Sequence, residues 1–268
     1  MKTPKKKLAL LLALAMMLTP LLSGCRKEEP EPTDSELPAL LIGSDEYLPY
    51  FYVDGDGDFA GIDVDIAREA CRRMGLRAEF KQIVWTSKDA CLKNGEIDCL
   101  WGSFTMTGRE NDYIWAGPYM TSRQVLMVGK SSSIQTIADL ENKRIGVQLS
   151  SKPDELFTAK DSGYPALKSL YSFSSTECLM AALRKEYVDA IAGHEIMFLE
   201  HMKTATGKYR ILEEPLMDVE LGVAFSKDSG GQTAGKLSQT LREMYEDGFI
   251  ASVLERYGVS PERATVAK

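Results

Sequence analysis

From residue 40 to residue 257, short apolar runs alternate with stretches whose apolar residues recur at helical spacing, and this alternation constrains the fold more than any other feature. Residues 40–43 read as a buried strand. Residues 50–53 read as a second, followed by the turn Asp54-Gly55-Asp56-Gly57-Asp58. Ile66, Ala67, Ala70, Cys71 and Met74 form one stripe of a helix over 63–74, which stops at Gly75. A strand at 78–83, a helix at 87–94 and a strand at 97–101 follow, then an extended run at 124–128 and a helical turn at 137–140. Strands at 144–148, 170–173 and 188–192 alternate with helices at 153–159, 176–185 and 195–203. An extended run at 220–225 precedes two closing helices, 233–245 and 249–257. Such alternation implies an α/β fold with mostly parallel sheets.

Residues 91–103 align without gaps on residues 182–194. Each copy is a helix end, a turn, an aspartate, a buried strand, then glycine and a polar residue. In open α/β sheets ligands bind beyond the carboxyl ends of strands. The two copies therefore predict that Gly102-Ser103 and Gly193-His194 face one another across a cleft between two lobes. The aspartate-rich turn invites a calcium-loop reading, but Phe59 stands at the sixth position where glycine is required, and Asp65 at the twelfth where glutamate is favoured. It reads as a hairpin turn.

The N-terminus is an address. Lys2, Lys5, Lys6 and Lys7 precede an apolar run over residues 8–18, too short to span a bilayer as a helix. Leu22-Ser23-Gly24-Cys25 resembles the bacterial lipobox, which implies a signal peptide over 1–24 and a diacylglycerol on Cys25. Residues 25–37 are charged, contain proline and lack apolar periodicity, so they read as a flexible tether. No later run is long enough to cross a membrane, and the folded part is expected on the outer face of the bacterial cytoplasmic membrane, held by lipid only. Cys71, Cys91, Cys99 and Cys178 are read as buried free thiols. A net charge of −7 opposes nucleic-acid binding, and two histidines, His194 and His201, leave little for imidazole-based zinc chemistry.

Several segments together resemble one family. They are Gly43-Ser44-Asp45-Glu46-Tyr47-Leu48-Pro49-Tyr50, Gly61-Ile62-Asp63-Val64-Asp65-Ile66, Asn94-Gly95-Glu96-Ile97-Asp98, Thr105-Met106-Thr107-Gly108-Arg109-Glu110, Ala116-Gly117-Pro118-Tyr119 and residues 137–148. In this order and spacing the chain resembles the extracytoplasmic solute-binding proteins of polar amino-acid ABC importers. The resemblance implies a periplasmic-binding-protein-like fold of two lobes, joined by two hinge strands near 125–130 and 220–226. Lobe one would comprise 38–126 and the return segment 223–268, and lobe two 127–222. It further implies a monomeric, lipid-anchored receptor that binds a small polar solute, an amino acid above all, and delivers it to an ABC permease. No cofactor, metal, nucleic acid or enzymatic turnover is expected. Alternatives on the same fold are a dehydratase- or lyase-like enzyme and a ligand-sensing lipoprotein.

The resemblance also assigns the site. Arg109 would take the ligand carboxylate, since a guanidinium offers two parallel hydrogen bonds. Gly102, Ser103 and Thr105 would follow a strand end and supply backbone groups and hydroxyls. Ser151 and Lys152 precede Pro153 at a helix start, with Lys152 where the family has a small hydroxyl residue; Ser151 reads equally as a helix cap. Tyr47 and Trp85 would flank the ligand side chain, while Trp101 and Trp115 pack. His194 occupies the place of the family's ammonium-binding aspartate. Either Glu195 takes that role, or the ligand is unusual or not an α-amino acid; a helix cap is the alternative for His194.

Overall fold

The computed structural model describes residues 37–159 and 163–266. The signal segment, Cys25 and nearly all of the tether lie outside the described residues. Eleven strands are described: β1 (Ala39–Ser44), β2 (Tyr52–Val53), β3 (Phe59–Ala60), β4 (Arg77–Gln82), β5 (Cys99–Leu100), β6 (Ile114–Gly129), β7 (Arg144–Gln148), β8 (Ser169–Phe173), β9 (Ala190–His194), β10 (Tyr209–Ile211) and β11 (Met217–Phe225). The helices are α1 (Ile62–Met74), α2 (Lys88–Lys93), α3 (Lys152–Thr158), α4 (Thr176–Arg184), α5 (Glu195–Thr204), α6 (Gly231–Glu246) and α7 (Phe249–Arg256).

The main sheet runs β4-β1-β5-β11-β6-β9-β7-β8, with β10 also paired to β6. Its two ends are parallel: β1 pairs with β4 and β5, and β7 with β8 and β9. Its middle is antiparallel, through β11 on β5 and β6 and through β6 on β9 and β10. The parallel sheets expected from the alternation are thus the two halves of a two-lobed α/β fold. The strands that cross between the halves make the whole sheet mixed.

Local sequence explains the elements. In α1 the apolar stripe is buried, and Gly75 takes φ +69° at the C-cap, where its N–H and that of Leu76 close on Arg72 and Cys71 carbonyls. Helices α6 and α7 return to pack on α1, so the last part of the chain completes the first half. Strand β6 is far longer than the run 124–128 read from the sequence, because Gly117 and Pro118 interrupt its apolar pattern. Opposite them the register with β11 shifts between Leu221 and Val223. The aspartate turn closes a hairpin, with Tyr52 opposite Ala60 and Asp54 Oδ1 accepting the amides of Asp56 and Asp58 at 3.0 Å.

One thiol departs from expectation. Cys71, Cys91 and Cys99 are buried and unpaired, and burial pushes the Cys71 thiol up to about 12. Cys178 is exposed, because α4 buries the face carrying Leu179, Met180, Ala182 and Leu183.

Candidate functional site

Where the two halves meet, a cavity of about 30 Å³ is lined by strand ends and loops of both. This is room for a water molecule rather than an amino acid, so a larger ligand needs its walls to part. Asp45, Tyr47, Trp85, Arg109 and residues 102–105 come from one half; Gln148, residues 151–153, Leu179 and residues 192–194 come from the other. Gln124 lies on the long strand β6 between them.

The first wall is set by a buried acid. Asp63, 1% exposed at the start of α1, accepts the Ser103 amide at 2.5 Å and the Tyr119 hydroxyl at 2.8 Å. These bonds hold Ser103 at φ +47°, a left-handed conformation that a serine seldom adopts unaided. Burial raises the Asp63 carboxyl to about 7. Gly102 is small for a reason: a Cβ there would lie 1.8 Å from Ser44 Oγ.

Arg109 is 5% exposed and fixed on several sides. Its guanidinium carbon sits 5.0 Å from the Phe104 ring centre, Nη1 donates to the Thr105 carbonyl at 3.3 Å, and the Trp115 indole donates to the Arg109 carbonyl at 3.0 Å. From the other half, Glu155 on α3 accepts Nε at 2.9 Å and also Nη2. Glu155 also meets Lys152 Nζ at 3.3 Å. Ser151 both lines the cavity and caps α3 through the Asp154 amide.

His194 ends β9 directly opposite Gln124 of β6. Gln124 Nε2 lies 3.0 Å from the ring Nε2, and Ser122 Oγ lies 3.0 Å from Nδ1. Thr105 Oγ1 lies 3.5 Å from the same ring Nε2, and the Ser103 backbone also faces the ring. Burial, reinforced by the Arg109 charge, holds the imidazole down to about 3, so it is neutral. Although His194 occupies the N-cap position of α5, its side chain makes no capping bond. Gln124 Oε1 is buried and has no hydrogen-bond partner among the described residues. Asp45 accepts from Gln148 Nε2 at 2.5 Å across the cleft, and burial raises its carboxyl to about 7.

These observations can be set against known proteins. The sequence profile of the bacterial extracellular solute-binding proteins, family 3, matches residues 40–260. The chain belongs to this family. The L-cystine-binding protein TcyA of Bacillus subtilis (strain 168) is 26% identical over 222 residues, covering 81% of this chain and 80% of the relative. The crystal structure of Tv2483 bound to L-arginine superposes with a TM-score of 0.75 at 26% identity, over 84% of this chain and 92% of that one. A substrate-binding protein of an ABC uptake transporter from Streptococcus pneumoniae, with bound histidine, shares the fold at a TM-score of 0.78 and 23% identity, over 85% and 94% of the two chains.

Within this family-3 fold, nine of the ten residues predicted for the site line one cavity: Tyr47, Trp85, Gly102, Ser103, Thr105, Arg109, Ser151, Lys152 and His194. Glu195 does not. Glu195 is the first residue of α5, and Arg123 and Arg263 hold its carboxylate outside the cavity lining. A buried carboxylate needs such cations, and these two occupy both of its oxygens. Sequence reasoning missed Asp45, Gln124 and Gln148. Asp45 and Gln148 stand inside segments that carry the resemblance. Gln124 closes the polar stretch Thr121-Ser122-Arg123-Gln124 ahead of the apolar run 125–128, and nothing in that stretch singles it out.

Proposed function

We propose that this chain is the receptor of an amino-acid ABC importer: it captures an α-amino acid between its halves and hands it to a permease. The observation that carries the reading is Arg109, a buried guanidinium fixed at a cavity between two halves, facing hydrogen-bonding groups from both. Arg109 takes the ligand carboxylate. Ser103, Thr105 and Ser151 bind around it, and Tyr47 and Trp85 flank the side chain. His194 does not replace the family's aspartate directly. Its ring nitrogens are engaged by Ser122 and Gln124, so it orients Gln124, whose free Oε1 joins Asp45 in accepting the ligand ammonium. That TcyA is an L-cystine binder and Tv2483 was crystallised with L-arginine supports an amino-acid ligand.

Residues 38–126 and 223–268 form one lobe and 127–222 the other, with β6 and β11 as the hinge. Ligand contacts made to both lobes favour the closed state, whose surface the permease reads. The chain acts by binding, without turnover. Its signal peptide is residues 1–24, and lipid on Cys25 anchors the protein outside the cytoplasmic membrane through the tether 25–37. Among the described residues no helix is long and apolar enough to cross a membrane. Thermal-shift screening of the full chain against the common amino acids tests the function, because a ligand specific to the folded state raises the melting temperature. One or a few positives are expected; silence across all of them overturns it. Membrane association that survives Cys25→Ser overturns the anchor.

A further inference from the structure

We infer that Glu155 is a tethered stand-in for the ligand carboxylate, and that a ligand binds by displacing it from Arg109 and Lys152. This rests on the receptor reading above and adds a group that competes with the ligand for the same two cations.

The structure holds an anion site whose anion is the protein's own. Oε1 of Glu155 accepts from Arg109 Nε at 2.9 Å and from Nη2, and Oε2 accepts from Lys152 Nζ at 3.3 Å. Two cations thus converge on the two oxygens of one carboxylate, the arrangement a free carboxylate requires. Burial separates the partners: the side chains of Arg109 and Lys152 are 6% and 8% exposed, that of Glu155 46%. The arginine is fixed by Phe104 and the Thr105 carbonyl. The carboxylate sits on a flexible side chain at the edge of the solvent and can turn outward, where water solvates it.

Space agrees with charge. Arg109 lines both the 30 Å³ cavity and a surface depression of about 390 Å³, and Glu155 lines only the depression. Turning Glu155 out frees Nε and Nη2 of Arg109 and Nζ of Lys152, two residues that line the cavity. The same reasoning accounts for Lys152. A buried lysine on the first residue of α3 stands at the positive end of the helix dipole, an unfavourable place for a cation. A shared carboxylate compensates it, supplied by Glu155 or by the ligand.

Intramolecular occupancy scales apparent affinity by the fraction of molecules in which Arg109 is free. For a half-exposed ion pair the competition amounts to about fivefold. Acetate, the smallest convenient carboxylate, is the first probe. Full-length wild type and Glu155→Gln are melted in sodium acetate and in sodium chloride at equal ionic strength and pH, with circular dichroism confirming that both are folded. The half-saturating acetate concentration is expected to fall about fivefold in Glu155→Gln, and a further Lys152→Thr change is expected to reverse most of the gain. Equal acetate responses in the two proteins, or a weaker one in the variant, overturn the inference. Titration of both proteins with L-cystine, L-arginine and L-histidine separates the two readings. If acetate responds as expected and no amino acid binds either protein, the receptor reading fails and the Glu155 competition stands. If an amino acid binds both equally, the reverse holds.

Discussion

Acid weakens the fold through His194, by an amount the structure allows to be worked out. The ring is 6% exposed, and its pKa falls from the ordinary 6.5 to about 3 because burial and the Arg109 charge both oppose the imidazolium. Below pH 6.5 the unfolded chain therefore binds a proton that the folded chain refuses. Stability from this group is complete above 6.5 and is lost as pH falls towards 3. At about 1.4 kcal/mol per unit, His194 removes about 2 kcal/mol by pH 5. Asp45 and Asp63 act in the opposite sense. Burial raises both from 3.8 to about 7, so the folded state takes up their protons first and their contribution grows as pH falls from 7 to about 4. The wild-type profile mixes these terms, and a variant separates them. Urea denaturation of wild type and His194→Asn at pH 7.5 and pH 5 gives two stability differences. The wild-type advantage is expected to shrink by about 2 kcal/mol at the lower pH. An unchanged difference refutes the argument, since His194 would then titrate alike in the folded and unfolded chain.

Three substitutions test other parts of the site. Gly102→Ala drives a methyl into Ser44 and is expected to cost about 1–3 kcal/mol in urea denaturation, as overpacking generally does. Asp63→Ala strands the Ser103 amide and the Tyr119 hydroxyl, which predicts a loss of about 2–4 kcal/mol by the same assay and a weaker ligand response. Arg109→Ala is expected to abolish the ligand-induced thermal shift while the circular dichroism spectrum stays native. A retained shift would remove Arg109 from the carboxylate role.

Local signals made the elements legible. The stripe from Ile66 to Met74 and the stop at Gly75 place α1 within a residue of its observed bounds, and β7 matches the run 144–148. The gapless echo between residues 91–103 and 182–194 corresponds to the two strand ends that meet at the cavity. What stayed hidden depends on partners remote in sequence. Glu195 lies next to His194, yet its carboxylate is decided by Arg123 and Arg263, separated from it by 72 and 68 residues. Similarly, Cys178 sits in an apolar stretch, and only the docking of α4 shows which face of that helix the sheet covers. The length of β6 was masked by Gly117-Pro118, since a proline inside a run argues against a strand until a bulge opposite accommodates it.

The distribution of charge around the cavity is consistent with a histidine standing where the resemblance implies an aspartate. Two buried cations, Arg109 and Lys152, line the site against one carboxyl, Asp45, which burial makes reluctant to ionise. A second buried carboxylate at position 194 would lie within reach of Thr105 and Gln124, with Arg123 and Arg263 committed to Glu195 outside the cavity lining. A neutral imidazole in that place needs no cation, and it spends both ring nitrogens on fixing Ser122 and Gln124. On the proposed function, the anionic end of a ligand meets full charges and its ammonium end mainly amide oxygen. Such a site draws most of its discrimination from the carboxylate, which is where the protein has also placed the competing side chain of Glu155.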